Sequence, residues 1–382
     1  MTQLPFDPTT VPSPCFVIDL PILEENLKKL RTVHERTGCS VLAALKAFAA
    51  HHAFPMMRNY LQGTCASGPH EARLGAEAFG GETHVYAPAY KEEDMDELLK
   101  FADHVSFNSL SMWQRFGPRL LASDRSIACG LRVNPERSEA PTPLYDPCAP
   151  GSRFGVRAQD LKGQDLHGIS GLHFHTLCEQ FSPALERTLD AVEEKFAPLL
   201  DQAEWVNFGG GHWLTHSEYD LDHVCSMIEH VQKKHGVRVY LEPGEAVAFR
   251  AGYLVAEVLD IIDNDGPIAI LDCSATAHVA DALEMPFVPE VAGGSHDPDT
   301  YPHRVRLGGL TCLAGDFFGN YSFPKPVQVG QRITFLDMAY YTMVKTTHFN
   351  GVKHPAIGFV DGSGNVEITR TFDYFDYRNR LS

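Results

Sequence analysis

The sequence predicts an α/β protein: a (β/α)8 barrel followed by a second, mostly β C-terminal domain. Between about residues 15 and 250, short apolar, β-branched runs alternate with segments of helical periodicity. After about residue 250 the helical segments give way to strand-like runs separated by turns rich in Gly, Pro and Asp. A chain of 382 residues is also too long for one ordinary core.

Residues 15–19 (CFVID) read as a strand. Residues 21–37 read as a helix with Ile22, Leu23, Leu27 and Leu30 on one face. Residues 41–45 form a strand that ends at Lys46, and 48–61 read as helical. Further strands are expected at 83–87, 104–107, 127–133, 169–174, 205–208 and 239–241, with helices at 183–203 and 221–235. Such repeated alternation implies parallel strands closed into a barrel. Strand-like runs follow at 252–262, 268–272, 304–311 and 331–335. The barrel is assigned to 20–250 and the β domain to 251–382, which the N-terminal strand, 12–19, is expected to join.

Composition narrows the function classes. A chain 44% hydrophobic and 21% charged is that of a soluble globular protein. No apolar run reaches membrane-span length, and the start, MTQLPFDPTTVPSPCF, lacks the basic and apolar regions of a secretory signal, so a cytoplasmic protein is expected. A net charge of −17 disfavours nucleic acid and anionic membrane surfaces and favours cationic partners, unless it serves solubility alone. Nine cysteines without a CxxC pair argue against a disulfide framework and a structural zinc site.

Chemistry in a barrel sits at the C-terminal ends of strands, where Lys46, Arg132, His173, His175, Gly209–Gly211 and Glu242–Gly244 are expected. A lysine pointing into a barrel mouth is poorly solvated, which lowers its pKa and frees the amine for attack on an aldehyde; otherwise it snorkels from the strand edge. Gly209, Gly210 and Gly211 leave backbone N–H groups uncovered, suiting a phosphate cradle or simply a tight turn. Glu242 can hold a pyridine nitrogen protonated or act as a turn acid. His173 and His175 share one strand face, so they can bind metal, stack on a cofactor ring, or serve as core histidines. Cys312, within Gly308–Asp316, is either a proton donor or an inert small hydrophobe.

In this order the pieces resemble the fold-type III pyridoxal phosphate (PLP) decarboxylases, the alanine racemase-like group that includes ornithine and diaminopimelate decarboxylases. The resemblance spans roughly residues 12–380. Ala44-Leu45-Lys46 looks like the family's Schiff-base segment. His175, in Gly171-Leu-His-Phe-His175, would stack on the cofactor, and Asn207-Phe-Gly-Gly-Gly211 looks like the phosphate loop. Glu242-Pro243-Gly244 matches the pyridine-nitrogen motif, Tyr341 the phosphate-binding tyrosine, and Cys312–Asp316 the segment that a partner subunit inserts. Arg132 looks like an arginine near the cofactor, and Arg153 like an interface cation that pairs with Asp316 of a second copy. The resemblance thus implies a PLP-binding barrel and a homodimer with shared active sites.

Departures from the family refine the substrate. Ornithine and diaminopimelate decarboxylases place an arginine after Glu-Pro-Gly, where this chain has Glu245. Thr176-Leu-Cys-Glu179 replaces a Gly-Ser pair that often supports the phosphate. The stretch from Asp272 to Pro286 resembles the carboxynorspermidine/carboxyspermidine decarboxylase branch, implying a lyase of polyamine and spermidine biosynthesis that releases norspermidine or spermidine and carbon dioxide. A small cationic polyamine amino acid needs carboxylates around its tail, for which Glu245, Asp281, Asp272 and Asp316 are the candidates. Lys46 or Cys312 would return the proton to the substrate carbon. The alternatives are another decarboxylase of this group (diaminopimelate, ornithine or arginine), a metal hydrolase using His173 and His175, and a PLP-binding regulator. No resident metal is expected.

Overall fold

The computed structural model describes residues 3–382. The chain divides into two compact units, one formed by Glu25–Val247 and the other by the residues up to Glu24 together with Ala248–Ser382.

Strand β1 (Cys15–Asp19) belongs to the second of these. The Glu25–Val247 unit contains β2 (Ser40–Ala44), β3 (Gly63–Ala66), β4 (Glu82–Tyr86), β5 (His104–Phe107) and β6 (Ala128–Asn134). It continues with β7 (Val156–Arg157), β8 (Gly171–His173), β9 (Trp205–Asn207) and β10 (Arg238–Leu241). All but β7 pair in parallel around a closed ring, β2-β3-β4-β5-β6-β8-β9-β10, sealed by β10 against β2; β7 hangs on β6. This is the expected eight-stranded barrel.

The connecting helices follow from pattern and caps. Helix Leu20–Thr37 buries Leu23, Leu27, Leu30 and Val33 completely, at the spacing of one helical face. Helix Leu221–His235 starts where the Asp220 side chain accepts from His223 N–H, and ends at Gly236 in the left-handed conformation (φ 71°). Its last turn carries Lys233, Lys234 and His235, which complement the helix dipole.

The expected long helix at 48–61 is not formed. That stretch holds only the 3-10 turn His51–Ala53 and helix Phe54–Met57. Pro55 is tolerated only in a first turn, so it starts a new helix rather than extending one.

The barrel interior is packed in layers. Trp205 and Tyr240 share an apolar cluster with Leu42, Ala44 and Cys65. The Trp205 indole fills space vacated by two glycines: a Cβ on Gly130 or Gly171 would lie 2.3 or 2.0 Å from its ring atoms. Two-residue periodicity then puts Tyr86, Arg132, His173 and Asn207 on the same inner face, toward the strand ends.

The other unit is an eight-stranded sheet built with β11 (Gly252–Asp263), β12 (Pro267–Leu271), β13 (His303–Gly308), β14 (Phe317–Phe323), β15 (Arg332–Leu336), β16 (Ala356–Val360) and β17 (Val366–Arg370). Its order is β14-β13-β12-β11-β1-β16-β17, with β15 also on β11. Strand β1 lies antiparallel to β11 and parallel to β16. A register shift between Val258 and Asp260 bends β11, so its first half pairs with β1 and β15 and its second half with β12. Among the described residues no helix is long and apolar enough to cross a membrane, and all nine cysteines are free.

Candidate active site

The loop after β2 and the loop after β10 lie side by side: Ala44 N–H donates to the Pro243 carbonyl at 3.1 Å, and Leu45 N–H to the Cys65 carbonyl at 3.0 Å. Lys46 leaves this edge with an exposed side chain, so the expectation of a poorly solvated amine is corrected. Glu242, on the neighbouring loop, is buried. Asn207 Nδ2 donates to its Oε1 at 2.7 Å, and His173 Nε2 lies 3.7 Å from Oε2. Burial pushes the Glu242 carboxyl up, but the His173 and Lys46 charges and the Asn207 amide outweigh it and hold the group below the ordinary carboxylate value.

His173 is buried with no hydrogen-bond partner on either ring nitrogen, and burial pulls its pKa down to about 4. His175 Nδ1 accepts from Gly210 N–H at 3.0 Å, so in the neutral ring the proton is on Nε2. Burial, then the Lys46 and Arg132 charges, hold its pKa well below the ordinary histidine value. Arg132 is buried between two rings, 4.4 Å from Tyr86 and 4.7 Å from Phe154, and donates to the His175 carbonyl at 3.1 Å. The two cation–π contacts offset part of its desolvation, which still lowers its pKa.

The glycine loop is constrained at all three positions. Gly209 and Gly211 have φ of 70° and 78°. An added Cβ would meet the Phe174 carbonyl at 2.6 Å (Gly209), the Glu242 carbonyl at 2.3 Å (Gly210) or the Leu177 carbonyl at 2.0 Å (Gly211). Two of its N–H groups are already engaged, Gly209 by Asn207 Oδ1 and Gly210 by His175. The expected cradle of three uncovered N–H groups is therefore reduced. His212 follows, fully buried; burial, opposed by the Phe208 and Gly209 carbonyls, pulls its pKa down to about 4, and no sequence motif marks it.

Gly244 leads into the short helix Glu245–Ala248. Glu245 is 3% exposed, and its Oε1 has no hydrogen-bond partner. Burial, reinforced by Glu179 and opposed by its own N–H and Lys46, pushes this carboxyl up to about 7.

The remaining candidates lie in the β unit, and three acids there are already engaged. Asp316 is 3% exposed and accepts from Ser274 Oγ, Thr276 N–H, Thr311 N–H and Thr311 Oγ1, at 2.7–3.1 Å. These bonds engage both of its oxygens from within its own unit and shape the loop carrying Cys312. Asp281 is paired with Lys345, so its charge is already met. Asp272 Oδ1 accepts from Glu257 N–H at 2.8 Å and ties β11 to the chain leaving β12. Cys312 is exposed, flanked by exposed Leu310 and Leu313, with its N–H on Asn350 Oδ1 at 2.8 Å. Tyr341 holds the left-handed conformation at φ 56°, which is uncommon for a bulky residue. Arg153 is exposed, its guanidinium over Phe154.

A barrel with a lysine beside a buried, hydrogen-bonded glutamate and a constrained glycine loop defines a class of cofactor-dependent lyase. The chain matches the family model described as pyridoxal-dependent decarboxylase, C-terminal sheet domain, over residues 15–339. It belongs to the pyridoxal-dependent decarboxylases.

Its relatives are more particular. It is 47% identical to a carboxyaminopropylagmatine decarboxylase of a Synechocystis strain, over 98% of this chain and 96% of that one. It is 40% identical to a carboxynorspermidine/carboxyspermidine decarboxylase of Campylobacter jejuni, over 97% and 98%. The solved carboxynorspermidine decarboxylase of Campylobacter jejuni, complexed with norspermidine, matches with a TM-score of 0.90 at 39% identity, over 97% of this chain and all of that one.

Proposed function

We propose that this chain decarboxylates a carboxylated polyamine, carboxynorspermidine or carboxyspermidine, using pyridoxal phosphate held by Lys46. The carrying observation is Glu245, a buried carboxylate with an unpartnered oxygen placed directly after the Glu-Pro-Gly loop. An unmet anion in a decarboxylase site fits a substrate with a cationic tail and disfavours one with a distal carboxylate, such as diaminopimelate. The names of the Campylobacter jejuni relatives support this reading. The Synechocystis relative supports a second tail: carboxyaminopropylagmatine carries the same amino-acid head on a guanidinium-ended chain.

The residues fit the cofactor. His173 has two orphaned ring nitrogens, and the glycine loop is held open where any Cβ would collide. When bound, pyridoxal phosphate supplies the electron sink that lets the α-carboxylate leave as carbon dioxide. Glu242, anionic and oriented by Asn207, would keep a proton on the pyridine nitrogen. His175 offers a ring fixed through Gly210, and Arg132 fixes the His175 backbone. Gly211 would serve the phosphate. Glu245 receives the substrate's cationic tail. Lys46, or Cys312 of a second copy, returns a proton to the α-carbon. Exposed leucines beside Cys312 fit a loop that a partner subunit covers, and nine free cysteines fit a cytosolic protein.

The test is carbon dioxide release from a substrate panel: carboxynorspermidine, carboxyspermidine, carboxyaminopropylagmatine, diaminopimelate, ornithine and arginine. Highest kcat/KM on one of the first three supports the proposal; preference for any of the others overturns it. Borohydride should trap the cofactor on Lys46. His173, His175 and Glu242 also lie close enough to hold a metal, and turnover that needs added metal but not cofactor would favour the hydrolase alternative.

A further inference from the structure

A second group of ligand-type side chains lies in the barrel, at the N-terminal ends of the strands and so opposite the glycine loop. Glu82 and His104 are the first residues of β4 and β5. Glu82 and His84 are two residues apart on one strand and so share its inner face. His84 pairs in register with His104 on the next strand. One ligand atom from each residue lies within 4.8 Å of the other two. His84 is 3% exposed, and its Nε2 is 3.1 Å from Glu82 Oε2. His104 has a buried Nδ1 without a hydrogen-bond partner. The two imidazoles lie parallel, with centroids 3.8 Å apart and planes 10° apart. Tyr240, 4.5 Å from His84, and Trp205, 5.0 Å from His104, wall the group from the layer above.

We propose that Glu82, His84 and His104 bind a divalent transition-metal ion, Zn2+ by their donor set. Two imidazoles and a carboxylate, with water as a fourth ligand, are a common zinc environment. Around a tetrahedral ion at about 2.1 Å, ligand atoms stand roughly 3.4 Å apart, so the ligand atoms must draw together and the rings must turn to complete the site. Binding tilts the two rings out of their stack until their lone pairs converge, and gives the orphaned His104 nitrogen a partner. Arg238 also reaches the group: its Nη1 lies 3.6 Å from Glu82 Oε1 and donates to Tyr240 Oη at 3.1 Å. It engages the carboxylate oxygen other than the one facing His84, and its side chain is 59% exposed, free to withdraw to solvent. The bound ion would fasten the starts of β4 and β5.

The test uses the full-length chain, stripped with chelator and titrated with Co2+ and then Zn2+. One Co2+ per chain is expected, giving visible d–d bands that Zn2+ removes, and Zn2+ should raise Tm. Glu82→Gln and His104→Gln should each weaken binding by more than the roughly 10–100-fold that loss of an outer partner costs. His175→Gln should leave the bands in place. No Co2+ bound to the wild type overturns the proposal. So does binding that both Glu82→Gln and His104→Gln leave unchanged, or binding that His175→Gln abolishes, which would put the ion at His173, His175 and Glu242.

Discussion

Asn207, the last residue of β9, and Glu242, which follows the adjacent strand β10, are joined by a 2.7 Å hydrogen bond in which the amide donates and Oε1 accepts. The other end of the same amide accepts from Gly209 N–H at 2.8 Å. One side chain therefore sets both the charge of the buried acid and the start of the glycine loop. Asn207→Leu removes a bond to a charged acceptor, worth about 1.5–3 kcal/mol, and kcat is expected to fall about 10–100-fold. Burial then acts on Glu242 with less opposition, so its pKa rises. The acid limb of the kcat profile should move to higher pH, and a pH–rate series checks this.

Glu245 contributes opposite signs to function and to stability. Its carboxyl ionises near the ordinary 4.5 in the unfolded chain and near 7 in the fold. Between those values the unfolded state releases protons first, so stability falls as pH rises through the interval. Glu245→Gln removes this penalty and should stabilise the cofactor-free protein above pH 7 by up to about 3 kcal/mol. The same change removes the anion proposed to meet the substrate tail, so kcat/KM on carboxynorspermidine should fall at least about 10-fold. Tm and kcat/KM on one preparation check both; a less stable variant with full activity would remove Glu245 from the tail site.

Much of the barrel was legible because its strands are short apolar runs bounded by turns, and seven of eight showed that pattern. The missing one, β3, is Gly-Thr-Cys-Ala, with no β-branched pair or alternation to mark it. Its Gly63 is demanded by a neighbour: a Cβ there would stand 2.0 Å from the Glu82 carbonyl. Such a requirement is tertiary and leaves no local signal. The barrel-unit motif residues of the candidate site were found because each ends a strand, whereas His212 and Tyr86 carry no motif. For the acids of the β unit, sequence cannot show whether a carboxylate is already paired, as Asp281 is with Lys345.

The glycines under Trp205 give a direct check on that tertiary logic. Gly171→Ala places a methyl 2.0 Å from the indole and should cost about 1–3 kcal/mol by overpacking. Trp205→Leu alone should also destabilise, through the space it leaves. The double variant should recover part of both losses, because the residues share one volume. Purely additive losses in denaturant titrations would contradict this.

Acid sensitivity should begin with histidines rather than carboxylates. Burial holds His173 and His212 at about 4 and His278 at about 3, against 6.5 for an exposed ring. Below pH 6.5 the unfolded chain takes up protons that the folded chain refuses, so stability falls as pH drops from 6.5 toward 4. Tm should be nearly flat from pH 7 to 8 apart from the Glu245 contribution, then fall steadily from pH 6.5. His212→Gln should flatten part of that slope.

Asp316 tests whether the Cys312 loop is held from within its own unit. Its carboxylate gathers Ser274 Oγ, Thr276 N–H and both donors of Thr311, and Ser274 Oγ in turn accepts from Ala277 N–H to cap helix Ala275–His278. Asp316→Ala strands several buried donors at once, and a loss of about 3 kcal/mol is expected. Asp316→Asn keeps the shape but turns an amide donor toward groups that are themselves donors, so it should destabilise less than alanine and still measurably. A residue that met substrate instead would show the reverse pattern: Asp316→Asn would abolish turnover and leave Tm unchanged. Thermal unfolding and kcat of the two variants separate these roles. If Asp316 positions the loop, activity should decline in step with stability.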